Sequence, residues 1–292
     1  MGPADIISFL RENNKSFSKR QRLIADYLLE NYDKAAYMTA SALSETVGVS
    51  ESTVVRFAAE IGFEGYQQMQ KRLRQITMTQ STTLKRMEIA QRQLNKTGIL
   101  EGVLKADIRM IEQTLSEIDP KQFDGTVEAI LKARNIYITG VRSAASLATF
   151  TEFYFHLMFD NTKLINSADP ADMFEQVLRI NSEDVIIGMS FPRYSKNIIK
   201  VLEYAQKCGA TVIGITDSMN SPVVPLSNYV LTARSDMDSF VDSLVAPFSV
   251  VNALIAALGM KHREEISKTF KNLENIWEEY EVYDKIQKND GD

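Results

Sequence analysis

The chain has 292 residues, 45% of them hydrophobic and 24% charged, with a formal net charge of −5, which is enough apolar material for two cores and excludes a disordered chain. No apolar run approaches the ~18 residues of a membrane span, and the N-terminus lacks the charged, apolar and small-residue sections of a secretory leader, so a soluble cytoplasmic protein is expected. Cys208 is the single cysteine and His156 and His262 are the two histidines, leaving no disulfide framework and no Cys/His cluster spaced for a metal.

Charge divides the chain near Gly98. Residues 1–98 carry 14 Lys/Arg against 10 Asp/Glu, and residues 99–292 carry 19 against 28, so the front tolerates a polyanion that the rear would repel. In the front, Ser18 followed by Gln21 has the spacing of a capping box, and Leu23, Ile24, Tyr27 and Leu28 then share one helical face. This helix is expected to end near Asn31. Thr39 is the N-cap of a second helix reaching Val47, Gly48 supplies a sharp turn, and Ser50 is the N-cap of a third helix ending at Gly62. Around that turn Leu43, Val47, Val49, Val54 and Phe57 fall where a helix-turn-helix needs apolar side chains, and small Ser44 lets the helices approach.

The third helix opens with Ser50, Glu51, Ser52 and Thr53, and Arg56 follows one turn on. Hydroxyls and N-terminal amides hold phosphates, and a guanidinium pairs with the O6 and N7 acceptors of guanine in a major groove. Ser50, Ser52, Thr53 and Arg56 are therefore the candidate DNA-binding residues, with Lys71 and Arg72 (and Arg74 beside them) on the next helix as candidate phosphate contacts.

From Thr77 to Asn95 the sequence turns polar and reads as a linker or connecting helix. A helix over Ile99–Ile118 follows, with Val103, Ile108, Ile111 and Leu115 expected to pack on the rear domain, and it stops before Asp119-Pro120. Beyond it come five short apolar runs, at 135–139, 163–166, 184–189, 211–216 and 229–232, mostly separated by helical stretches. Such runs predict a buried parallel sheet, doubly wound and five-stranded, with flanking helices. Ligands in these sheets bind at the carboxyl ends of strands. After the first strand lie Gly140, Arg142 and Ser143, and after the third lie Ser190, Arg193 and Ser195, each loop leading into a helix. Serine hydroxyls, helix N-terminal amides and the helix dipole make an anion cradle, and the same serines also serve as plain helix caps. There is no G-x-G-x-x-G for a dinucleotide, and no cofactor is expected. Cys208, before the fourth strand, reads as a small core residue, and His156, in an apolar helix, as a packed one.

At these residues the chain resembles the RpiR/MurR family of bacterial transcriptional regulators, in which a helix-turn-helix domain precedes a sugar isomerase (SIS) domain. The segment 50–57 (SESTVVRF) and the following GFEGY of 62–66 resemble the family's recognition helix and turn, and the Gly140 loop, the 190–195 loop and 205–217 (AQKCGATVIGITD) resemble the SIS pattern. The resemblance implies a DNA-binding domain over 1–77, a linker over 78–104 and a SIS domain with a C-terminal helix over 105–292. It also implies a double-stranded operator, a phosphorylated sugar or sugar-acid effector, a homodimer or homotetramer, and a repressor of carbohydrate genes. Arg142 and the Pro192-Arg193-Tyr194 stretch depart from the Gly/Ser/Thr-rich SIS loops, so the effector's identity is the open part; inward guanidiniums would pair with a phosphate or carboxylate. SIS domains also occur in aldose-ketose isomerases. That chemistry needs a base and a proton-transfer partner, for which Glu152 and Glu203 are the candidate bases here, and the scarcity of histidine favours a regulator that is not an enzyme. Ile266, Phe270, Leu273, Trp277 and Tyr280 form an apolar helical stripe expected to dock on its own domain and to contribute to oligomerisation.

Overall fold

The computed structural model describes residues 6–80, 98–167, 169–235 and 242–283; residues 81–97 of the expected linker lie outside these. The chain divides into two compact units, the break falling between Ile99 and Leu100. The first is helical: α1 (Ile6–Asn13), α2 (Lys19–Ala35), α3 (Ala40–Val47), α4 (Glu51–Glu60) and α5 (Tyr66–Gln80). Ser18 heads α2 in a capping box, its N–H donating to Gln21 Oε1 at 2.8 Å. Asn31 does leave helical geometry (φ −135, ψ 33), but the helix resumes and runs to Ala35. The added turn buries Ala35 and Ala36 completely, a gain that local propensity does not register. Thr39 caps α3 by accepting from the Ala42 N–H at 3.1 Å, and Gly48 makes the turn with φ 72. Leu28, Leu43, Val54, Phe57, Met69 and Leu73 close one core around that turn, with Val47 and Val49 at its edge.

The second unit is built on five parallel strands, β1 (Ile136–Gly140), β2 (Thr162–Ile165), β3 (Val185–Met189), β4 (Thr211–Thr216) and β5 (Tyr229–Thr232), in the order β2-β1-β3-β4-β5. Each begins within one residue of the run that predicts it. All five residues of β1 and of β3 are buried, because helices cover both faces. Ile136, Ile138, Ile187 and Ile213 face α7 (Pro120–Lys132), α8 (Ala144–Met158) and α11 (Val245–Lys261). Tyr137, Ile186 and Val212 face α9 (Pro170–Gln176) and α10 (Lys196–Lys207).

Two expectations about packing are overturned. In α6 (Ile99–Glu117) the stripe of Val103, Ile108, Ile111 and Leu115 points to solvent, Leu115 being 78% exposed, and Ala106, Met110 and Thr114 are buried instead. Polar anchors set this rotation. Thr114 Oγ1 accepts from the Arg234 N–H at 2.8 Å, Arg234 pairs with Glu117, and the Ser243 hydroxyl donates to Asp107 at 2.7 Å, while small Ala106 packs with Ala246. His156 is exposed rather than packed, since its neighbour Phe155 takes the inward face of α8. Cys208, the C-cap of α10, is half-buried at the edge of the core.

At the amino ends of β1 and β3, Asp184 is 1% exposed and accepts from Arg134 Nε (3.0 Å) and Nη2 (2.7 Å), Asn135 Nδ2 (2.8 Å) and the Asn181 N–H (2.9 Å). Burial pushes this carboxyl up, but the donors outweigh it and hold it below the ordinary value of 3.8. A depressed folded-state value means stability present above that ordinary value and lost as pH falls through the folded one. Asp184→Ala should therefore cost about 2 to 3 kcal/mol at pH 7, and its unfolding free energy should fall less steeply than that of wild type on acidification below about pH 4. Denaturant titrations at pH 7 and at pH 3 check both; parallel pH profiles would refute the linkage.

Candidate DNA-reading helix and effector crevice

The exposed face of α4 carries Ser50, Ser52, Val55 and Arg56. Ser50 does not bond the helix amides with its side chain; its Oγ lies 3.0 Å from Ser52 Oγ and 2.7 Å from Thr53 Oγ1. Thr53 is buried, so among the sequence candidates it braces the turn from inside instead of facing a groove. Arg56 Nε rests on the Ser52 carbonyl at 3.3 Å with the side chain exposed. Val55, 42% exposed, directly follows fully buried Val54, the valine expected in the core; on this face it suits a thymine methyl.

Helix α5 is fixed by its links to the chain between α2 and α3. The Tyr66 hydroxyl and Gln70 Nε2 donate to the Met38 carbonyl at 2.7 and 2.5 Å, and Arg74 Nε donates to the Ala36 carbonyl at 2.8 Å. Burial pushes the Tyr66 phenol up to about 12, against the nearby Arg74 charge. Arg74 also stands 5.4 Å over the Tyr37 ring, so it is committed to the fold. Lys71 is exposed and Arg72 half-buried.

In the second unit the strand order reverses between β1 and β3, and the loops that follow these strands flank the crevice that such a reversal opens. Gly140 is there because a Cβ would sit 2.6 Å from the Ala144 carbonyl oxygen, so only glycine lets α8 start this close to the strand. Arg142 and Arg193 are exposed, and both adopt left-handed backbone, φ 60 and φ 62. Strain of this kind in non-glycine residues costs roughly 1–2 kcal/mol and concentrates at ligand sites. Ser143 is exposed at the N-cap of α8 and its hydroxyl makes no capping bond. Ser195 Oγ accepts from the Asn197 N–H at 3.3 Å and does cap α10. Ser190 is 4% exposed, with its N–H on the Ile215 carbonyl and its carbonyl accepting from Thr216 Oγ1 at 2.7 Å.

A network that the sequence did not reveal ties the 190–195 loop to the end of β4. The Tyr194 hydroxyl donates to Asp217 Oδ1 at 2.8 Å, and Thr216 Oγ1 meets Ser221 Oγ at 2.7 Å. Burial and the adjacent Asp217 carboxylate hold the Tyr194 phenol well above its usual range, so it stays a neutral donor. Only the fold brings these residues together, 23 positions apart. Thr139 Oγ1, fully buried one residue before Gly140, has no hydrogen-bond partner among the described residues. Both histidines lie at the opposite edge of the sheet. His156 is in the last turn of α8, about 20 Å of helix from Ser143, and His262 stacks on Phe159 at 5.4 Å just beyond that helix.

Helix-turn-helix unit in front, doubly wound sheet behind with a crevice at its reversal point: this order defines a class of two-domain regulators. Residues 4–80 match the helix-turn-helix domain of the rpiR family, and residues 129–257 match the SIS domain. The chain belongs to the rpiR family of helix-turn-helix transcriptional regulators with a SIS domain. An HTH-type transcriptional regulator of Haemophilus influenzae is 28% identical over 264 residues, 88% of this chain and 90% of its own. One from Clostridium perfringens is 25% identical over 219 residues, 75% of this chain and 77% of its own. Among solved structures, Vibrio vulnificus NanR complexed with ManNAc-6P shares the fold with a TM-score of 0.57 at 22% identity, over 94% of this chain and 98% of its own. The sugar isomerase domain of an RpiR transcription factor from Sphaerobacter thermophilus gives 0.57 at 24% identity, over 59% and 96%.

The two turn glycines should respond differently to alanine. Gly140→Ala drives a Cβ into backbone and should cost about 2 kcal/mol or more. At Gly48 the added Cβ meets nothing within 4 Å, so Gly48→Ala should cost only about 1 kcal/mol, from its left-handed backbone. Thermal unfolding of both variants measures the difference, and equal losses would contradict the close approach at β1.

Proposed function

We propose that the chain is an operator-binding repressor of carbohydrate genes, released by a phosphorylated sugar or sugar acid bound in the crevice between β1 and β3. The observation that carries this reading is the convergence at one sheet edge of two helix-leading loops, both with left-handed arginines. The Ser143 and Ser190 hydroxyls, the amides opening α8 and α10, and the guanidiniums of Arg142 and Arg193 supply donors for an anion. Neither guanidinium has a partner among the described residues. Gly140 lets the first loop approach the ligand, and Ser195 acts by capping α10. The ManNAc-6P complex of NanR, which has the same fold, supports the ligand class. Residues 1–77 would hold the operator through Ser50, Ser52 and Arg56 on α4, with Lys71 and Arg72 on phosphates and Thr53 bracing the turn. In a two-fold assembly two such units read half-sites about one helical turn apart, so a small change between subunits spoils joint docking.

Arg56→Ala should weaken binding to a selected operator by about 1 to 3 kcal/mol and relax preference at one base position. Unchanged affinity in a folded variant removes α4 from the groove.

Sugar phosphates that raise the melting temperature in a thermal-shift panel supply the effector for a second test. Operator affinity should change about 5- to 150-fold with saturating effector, and Ser190→Ala should bind operator normally while losing that response. A normal response in Ser190→Ala means that the crevice is not the sensor. The same panel should show no aldose-ketose interconversion, since both histidines sit at the far edge of the sheet. Turnover abolished by Ser190→Ala would establish the isomerase reading instead.

A further inference from the structure

Helix α4 divides lengthwise into two faces. Thr53, Val54, Phe57 and Ala58 are buried, and Glu51, Ser52, Val55, Arg56, Ala59 and Glu60 reach the surface. At about 100° of turn per residue, Ser52 and Ala59 mark the midline of the exposed face, with Val55 on one flank and Arg56 on the other. Small side chains along the midline let a groove close on the helix without a clash. Arg56 Nε donates to the Ser52 carbonyl at 3.3 Å. This lays the side chain back along α4 and leaves Nη1 and Nη2 as its outward donors, a pair that matches O6 and N7 of guanine. The Glu60 carboxylate is drawn aside, accepting from Gln21 Nε2 on α2.

Val55 adds little to the fold on its flank. Among the described residues of α1 to α5, Leu23 on α2 and Val55 are the large apolar side chains left exposed. Branching at Cβ lowers helix propensity, so an exposed helix position gains nothing from valine. Glu51, one turn earlier on the same flank, is exposed, and its charge suits base edges better than phosphates because like charges repel. An apolar side chain facing a base edge has one specific partner, the C5 methyl of thymine, which stands in the major groove.

We propose that Val55 is a specificity-determining residue that reads a thymine methyl in the major groove, close to the guanine read by Arg56. This rests on the reading of α4 as the helix that enters the groove. Val55 and Arg56 are consecutive, with Cα atoms about 3.8 Å apart, and bases rise about 3.4 Å along each strand. The thymine therefore lies within about two base pairs of the guanine. Its partner on the protein is an uncharged side chain, so this contact adds sequence preference without adding to the attraction for phosphates.

Operators selected from random duplex DNA with the full-length protein test this. The selected sites should hold a thymine within about two base pairs of the guanine whose preference Arg56→Ala relaxes. Replacing that thymine by deoxyuridine removes one methyl and keeps the base pairing, and should weaken wild-type binding about fourfold, the effect of burying one carbon. Val55→Ala should bind the thymine operator about fourfold more weakly than wild type and should no longer distinguish it from the deoxyuridine operator. Val55→Ile, which keeps the apolar reach, should retain the thymine preference. Melting temperatures confirm that the variants are folded. If wild type does not distinguish the two operators, or if the deoxyuridine penalty persists in Val55→Ala, the proposal is overturned even when Arg56→Ala weakens binding. If Arg56→Ala also leaves affinity unchanged, the reading of α4 as the groove helix falls with it.

Discussion

A parallel strand buried on both faces needs helices above and below it, and in the second unit this requirement falls first on β1. All five of its residues are buried. Its alternate side chains must be covered by α8 on one side and by α9 and α10 on the other, and its neighbours β2 and β3 must be reached by crossovers leaving in opposite directions. The crevice at its carboxyl end is a consequence of that reversal. Gly140 is where coverage and crevice meet: the helix that buries the strand must also begin against it, with no room for a Cβ.

Two buried carboxylates then fasten the sheet at its two edges. Asp184 gathers Arg134, Asn135 and the Asn181 amide at the amino edge. Asp217 takes the Tyr194 hydroxyl at the carboxyl edge. Cation and carboxylate satisfy each other at the first, so that edge has little to offer an anion. At the second the Tyr194 phenol, held neutral, donates to the carboxylate. In the proposed function an anionic ligand in the crevice would draw its cations from the two left-handed arginines of the loops. In the first unit Arg74 holds the Ala36 carbonyl although its side chain reaches the surface.

The sequence by itself determined the features set by neighbours along the chain. The capping box at Ser18, the Thr39 cap, the Gly48 turn and the five strands could be read directly, because caps, turns and strand runs depend on a few consecutive residues. The Gly140 loop and the 190–195 loop were legible for the same reason, each being a strand end followed by a helix start. Tertiary structure alone decided which face of an element is covered and which distant groups meet. Helical periodicity in α6 gave a stripe but not its direction, which polar anchors from Arg234 and Ser243 turned outward. It decided likewise that Thr53 lies inside, that His156 lies outside, and that Tyr194 meets Asp217. The physical reason is common to all of them. A hydrogen bond or an apolar contact between residues far apart in the chain outweighs the small local preferences of either one, and only the folded backbone says which residues those are.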